Sequence, residues 1–262
     1  TDTYNTYYSH SYNKSGVYTV KLAGLATAYN SSNTTSVIQF GSYTAGISGS
    51  LGEIFPTLPN GDNPQFLLTF DGAMNWDGVV PERLFSRIHG QPSPLMFTGT
   101  FALSNLKGIP DKIFSGLYGN PSYGMNVGTF LLTPYVESSI PSKLYANLRG
   151  APERGAFLGT FALSGFKGEI PSGIFAGLKG QAKEAAFALT FAGMPYVEGR
   201  IPAKLFAGIS GRPMAAQYLG TFAGSGIDLL ALIEGGDLSI DVIKGNGLTG
   251  AIPEALFANL NG

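Results

Sequence analysis

Hydrophobic positions recur along most of this chain with a period near 30 residues, far longer than the period of any helix or strand. The pair Thr-Phe returns at Thr69-Phe70, Thr100-Phe101, Thr129-Phe130, Thr160-Phe161, Thr190-Phe191 and Thr221-Phe222. An aliphatic residue and a Pro follow each of the first five pairs, at Pro81, Pro110, Pro141, Pro171 and Pro202, and the phrase returns once more at Pro253. Self-similarity at a fixed period marks repeat architectures, in which no unit buries its apolar side alone and neighbours must stack. The pattern predicts a solenoid over residues 49–262.

Within each unit the apolar spacing predicts two short helices and one very short strand. Phe66 and Phe70, Phe97 and Phe101, Phe157 and Phe161, and Phe187 and Phe191 are four apart, the spacing of one helix face. Asn126 breaks this column, with Met125 or Val127 available to fill it. A second helix is predicted from each Pro to the following Gly, as over 202–210 before Gly211. Pro suits the first helical position and Gly the left-handed position past the last. The aliphatic residues Ile109, Ile140, Ile170 and Ile201, just before each Pro, are predicted to form a narrow parallel ribbon. Periodic apolar columns of this kind read as core rather than as a ligand-binding strip.

The two ends depart from the period. Residues 1–48 do not repeat; "GVYTVKLAG" and "TSVIQF" read as strands of a β-rich N-terminal cap over the first rung. "IDLLALIEGGDLSIDVIKGNGLTG" lengthens the last unit, an insertion at about 226–246.

The phrase Thr-Phe followed by Ile-Pro-x-x-Leu-Phe resembles bacterial leucine-rich-repeat surface proteins, the BspA-like group in its longer-unit form, over about residues 50–262. The resemblance implies an α/β, leucine-rich-repeat-like solenoid and a secreted or cell-surface adhesion protein. A Cys column of that family is occupied here by Ala73, Ser104, Thr133, Ser164, Met194 and Ser225. "SHSYNKSGVYTVKLAG" resembles the closing hairpin of PKD-like β modules.

Composition narrows the function. With 16 basic and 17 acidic residues the chain has no basic excess for nucleic acid. No apolar run reaches the length of a membrane span, so no membrane insertion is expected. The absence of cysteine removes thiolate metal sites and cysteine nucleophiles. His10 and His89 are far apart, and no phosphate loop, nucleophile elbow or metal-ligand spacing is present. No catalytic residue, cofactor or metal is therefore expected, and an enzyme is the least supported class.

Two sets of surface residues remain. Counted from each Thr, Asp77, Lys107, Glu137, Lys167 and Glu198 hold equivalent places and alternate in sign, which predicts an inter-rung charge ladder. The residue before each unit-ending Gly varies, as His89, Tyr118, Arg149, Lys179, Ser210 and Asn261, while its neighbours stay fixed. Such a position is expected on the surface, and the first four residues are candidate ligand contacts. Trp76, Tyr135 and Tyr196 form a second candidate row, suited to stacking on sugars. The expected function is a non-enzymatic extracellular module that binds a protein or glycan on a surface, from a bacterial cell or a phage tail. The alternative is an architectural spacer without its own ligand. Neither reading fixes an oligomeric state.

Overall fold

The computed structural model describes residues 11, 13–16, 66–73, 78–82, 84–86, 88–223, 225–227, 243–245 and 247–261. Successive units lie side by side in parallel. β1 (Gly78–Val79) pairs with β2 (Leu106–Gly108), and β3 (Gly168–Glu169) pairs with β4 (Val197–Gly199). β5 (Ser225–Ile227) and β6 (Ile243–Gly245) form an antiparallel pair. After this excursion β7 (Gly247–Leu248) returns to β4 in parallel. Single parallel bridges tie the other end of each unit to the next, from Gly90–Leu117 through to Gly211–Leu260.

The α/β leucine-rich-repeat solenoid with two helices per rung is overturned. Among the described residues there is no α-helix, only strands of two or three residues and a 3-10 turn at Glu254–Phe257. The Thr-Phe segment is a run of turns in which every fourth residue is left-handed. Leu95, Gly99 and Leu103 have φ of 59°, 58° and 52°, and the next unit repeats this at Gly124, Gly128 and Leu132. A helix needs consecutive right-handed residues, and one left-handed residue per turn ends it. The N–H groups then divide in alternation. Thr98, Thr100 and Ala102 bond back three residues within their own unit. Phe97, Gly99, Phe101 and Leu103 donate to Met125, Val127, Thr129 and Leu131 of the next, at 2.8 to 2.9 Å. Every backbone donor along this run thus has an acceptor without a helix.

The Pro-started segments are also turns. Leu84, Ile113, Leu144, Ile174, Leu205 and Leu256 donate to the carbonyl of the Pro three residues before, at 3.0 to 3.4 Å. The Gly that ends each is left-handed as expected, with φ between 79° and 122° at Gly90, Gly119, Gly150, Gly180 and Gly211. β2, β3 and β4 end one or two residues before the predicted Ile109, Ile170 and Ile201; Ile140 is buried, with no strand before it among the described residues. The N-terminal cap at 1–48 lies outside the described residues apart from a short exposed stretch. Most of the 226–246 segment lies outside them too.

Three aromatic columns fill the core. Phe70, Phe101, Phe130, Phe161, Phe191 and Phe222 stack with ring centroids 5.3 to 5.9 Å apart and nearly parallel planes. Phe85, Phe114, Tyr145, Phe175, Phe206 and Phe257 form a second column at 5.9 to 6.1 Å. The third runs through Phe66, Phe97, Asn126, Phe157, Phe187 and Tyr218. The Thr of every pair after Thr69-Phe70 has a separate task. Thr100, Thr129, Thr160, Thr190 and Thr221 donate their hydroxyls to the carbonyls of Phe66, Phe97, Asn126, Phe157 and Phe187 in the preceding unit, at 2.8 to 2.9 Å. These Thr are buried, so the bond satisfies both a hydroxyl and a core carbonyl.

Gly159→Ala separates this backbone from a helix by sign. Gly159 has φ of 59°, and an added methyl would meet only Ala162 Cβ at 3.9 Å. In a helix the change stabilises by about 1 kcal/mol. Here the left-handed backbone makes it destabilising by about 1–2 kcal/mol in urea unfolding.

Candidate binding surface

The unit-ending turns place the variable column on one edge. Tyr118 N–H donates to Gly90 O, Arg149 to Gly119 O, Lys179 to Gly150 O and Ser210 to Gly180 O, all at 2.9 to 3.0 Å. His89, Tyr118, Arg149 and Lys179 therefore follow one another unit by unit, and all four are exposed, Tyr118 by 60%. Asn261 continues the line through Gly211 O. Arg149 Nη1 donates to Ala146 O and Leu148 O, which pins the guanidinium to its own turn and holds its charge in place. The residues just past the Gly form a parallel column of Gln91, Asn120, Ala151, Gln181 and Arg212, exposed except at Ala151. These two columns hold no carboxylate, although the chain as a whole has a formal net charge of -1. The second column escaped the sequence reading. Its signal was the run of planar amides two residues past the varying position.

Close approach at this edge explains its small residues. A methyl on Gly116, Gly177 or Gly208 would fall within 2.1 Å of a carbonyl oxygen of the preceding unit. Where this column holds Asn instead, the side chain makes the contact. Asn147 Nδ2 donates to Ser115 O at 2.7 Å, and Asn259 Nδ2 to Ala207 O at 2.6 Å.

The second candidate row is not assembled as a strip. Trp76 lies outside the described residues. Tyr135 and Tyr196 are half-buried and two units apart, and the unit between them contributes Phe166, which is buried edge-on to Phe130 and Phe161. Each Tyr instead lies under a Lys of the preceding unit: Lys107 Nζ is 5.0 Å from the Tyr135 ring and Lys167 Nζ 5.9 Å from that of Tyr196. Of the charge ladder, Asp77 lies outside the described residues, and Lys107 Nζ meets Glu137 Oε1 at 4.0 Å. The register then departs from the expected alternation. Gly168 pairs with Val197, so Glu198 stands opposite Glu169 and not opposite Lys167. An exposed pair such as Lys107–Glu137 contributes about 0–1 kcal/mol.

One groove of about 950 Å³ lies at the C-terminal ends of β3 and β4 and just past β7. The Ile-Pro phrases at Pro171, Pro202 and Pro253 line it, with Glu169, Arg200 and Glu254. Among the described residues that line it there is no histidine to serve as an imidazole base for a Ser or Thr. Among the described residues no group of three or more His, Asp or Glu is placed to hold a metal, and no helix is long and apolar enough to cross a membrane.

The clear shifts in ionisation come from burial, complete at Tyr145 and partial at Tyr218 and Asp71. Burial raises the Tyr145 hydroxyl well above its ordinary value and pushes Tyr218 up to about 12. Burial also raises Asp71. Both tyrosines are held neutral in the folded state, so their contribution is intact below pH 10, where the unfolded chain still keeps the proton. It is lost as pH climbs above 10, because the unfolded state then gives up protons that the fold retains. Thermal melts should fall steeply above pH 10, and Tyr145→Phe should make that fall shallower.

No family model matches the chain, and no curated protein or solved structure matches it.

Proposed function

We propose that this chain is a non-enzymatic binding module that displays the His89–Tyr118–Arg149–Lys179 edge to an acidic glycan or acidic protein on a surface outside the cell. One observation carries the reading: two adjacent exposed columns run across successive units without a carboxylate, on a chain with no overall positive charge. Cations and amide donors held at regular steps along a firm backbone suit an extended polyanion. Ordering was completed when the chain folded, so little further entropy is lost on binding. Tyr118 adds an exposed ring that can stack on a sugar or pack against an apolar group.

The test is binding to immobilised acidic polysaccharide, with a neutral polysaccharide as control, at rising salt. The expected result is saturable binding to the acidic polymer that weakens steadily with salt, because the contacts are exposed charges. Equal binding to the neutral polymer would contradict the reading. Failure to bind either the acidic polymer or acidic protein surfaces would leave the spacer alternative standing.

A further inference from the structure

The outer side of the Thr-Phe segments carries a pattern that the fold does not require. In each four-residue turn two residues, among them the Thr or a Phe, are buried in the core, and the next two face outward. The outward positions are the two residues before each Thr and the two after each Phe. From Thr98 to Gly193 none of them is charged. Just before the Thr, successive units read Leu68, Gly99, Gly128, Gly159 and Leu189. Two residues after the Phe, the same units read Gly72, Leu103, Leu132, Leu163 and Gly193. The two columns are opposites: wherever one holds Leu, the other holds Gly. All ten residues are left-handed, with φ between 52° and 70°. All ten donate their N–H to the following unit at 2.8 to 3.1 Å, which keeps both columns in register. Gly takes this backbone freely, whereas Leu is strained in it. The Leu side chains gain little burial in return: Leu68, Leu103, Leu132 and Leu163 are half-buried and Leu189 is 42% exposed. Packing between units does not explain the alternation. A methyl on Gly99 would strike Leu68 of the preceding unit, but one on Gly128 has Leu131 of its own unit nearest, and one on Gly159 meets only Ala162. Leu103, Leu132 and Leu163, moreover, follow one another in adjacent units.

We propose that this face binds a second copy of the same chain, face to face about a two-fold axis that runs along the stack midway between the two columns. That rotation lays the column before the Thr of one copy on the column after the Phe of the other, each unit against the same unit. Leu132 then enters the space left at Gly128 of the second copy, and Leu189 that at its Gly193. All five units match in this way, and the symmetry repeats every contact in the opposite direction, as an isologous interface requires. A two-fold axis across the stack would reverse the units and set Leu68 against Leu189, so the Leu and Gly pattern selects one arrangement. Burial of the leucines drives the association, and the lack of charge on the face removes the main cost of drying it. No residue of the polyanion edge belongs to these columns, so the two inferences are independent.

Sedimentation equilibrium of the whole chain tests the association, and a monomer–dimer equilibrium is expected. Leu189→Glu, an exposed change, should weaken the dimer at least tenfold and leave the melting temperature of the dilute protein in place. Leu132→Gly with Leu163→Gly should weaken it as much, although it relaxes the backbone of the monomer. The chain has no cysteine, so single cysteines report the register without touching a leucine. Copies carrying Ala102→Cys should be joined to one another by a short bis-maleimide, and so should copies carrying Ala192→Cys. A mixture of these two variants should give links between like positions and none between position 102 and position 192. The proposal is overturned if the chain stays monomeric at its highest soluble concentration, or if the leucine variants associate as well as the parent. Links between positions 102 and 192 in place of those between like positions, or no links at all in a dimer, would overturn it too, since a reversed arrangement or another face gives those results.

Discussion

Replacing Phe161 with Ala is expected to cost about 3–5 kcal/mol, read as a fall in the urea midpoint with the slope preserved. The ring is fully buried, stacked between Phe130 and Phe191 at 5.6 Å on each side, and met edge-on by Phe166 at 5.6 Å. Its neighbours cannot close the gap cheaply, because each is fixed to the next unit by the backbone. Phe130 N–H donates to Thr160 O at 2.9 Å, and Phe161 N–H to Thr190 O at 3.0 Å. The cost therefore stands at the full transfer and cavity terms. A loss below about 1 kcal/mol would mean that the columns are not packed in this register.

The opposite sign is expected from Asn126→Phe combined with Tyr145→Phe, a gain of about 2–4 kcal/mol. Phe97 and Phe114 lie 4.4 Å apart in the unit before, and Phe157 and Phe175 lie 4.9 Å apart in the unit after. The same two positions in the unit between are Asn126 and Tyr145. Asn126 is completely buried and its Nδ2 has no partner; the buried Tyr145 hydroxyl has none either. Each of the two leaves a buried polar group unmet. The double change removes both orphans and restores the aromatic column. Asn126→Phe alone should gain less, because the buried tyrosine hydroxyl stays unpaired. A double variant less stable than the parent would show that the Asn is satisfied in some other way.

The period, the core columns and the exposed edge were legible in the sequence, because each depends on which positions vary and which do not. The helices were not. Phe187 and Phe191 are four apart in a helix and also in a run of four-residue turns, so the aromatic spacing does not distinguish the two. The distinguishing signal was present in glycine. Gly99, Gly124, Gly128, Gly155, Gly159, Gly193 and Gly220 fall on the same four-residue grid, offset by two from the aromatic residues, and all are left-handed. Glycines at that spacing are poor in a helix and suited to a left-handed position. The charge ladder is present at Lys107–Glu137 and departs at Glu198 for a different reason. Units reading Pro-Tyr-Val carry an extra residue, and the structure absorbs it by setting Val136 and Val197 in the buried column that Leu106 and Phe166 fill. The Tyr is thereby brought under the preceding Lys; Glu137 still meets Lys107, whereas Glu198 stands opposite Glu169.

The role of Thr was also hidden. Composition and spacing place Thr69, Thr100 and their equivalents in the core, but only the pairing of units shows the hydroxyl reaching a carbonyl 32 to 34 residues back. The resemblance to leucine-rich-repeat surface proteins rests on the same phrases, and these phrases fold here into turns.

The most direct test of the account is acidic-polysaccharide binding by a variant in which Tyr118, Arg149 and Lys179 are all Ala. All three side chains are exposed on one edge and none belongs to the aromatic core. The variant should therefore fold with a melting curve close to the parent's. The account predicts that it loses at least tenfold in affinity and most of its salt dependence. Undiminished binding by the folded triple variant would contradict the assignment of the edge.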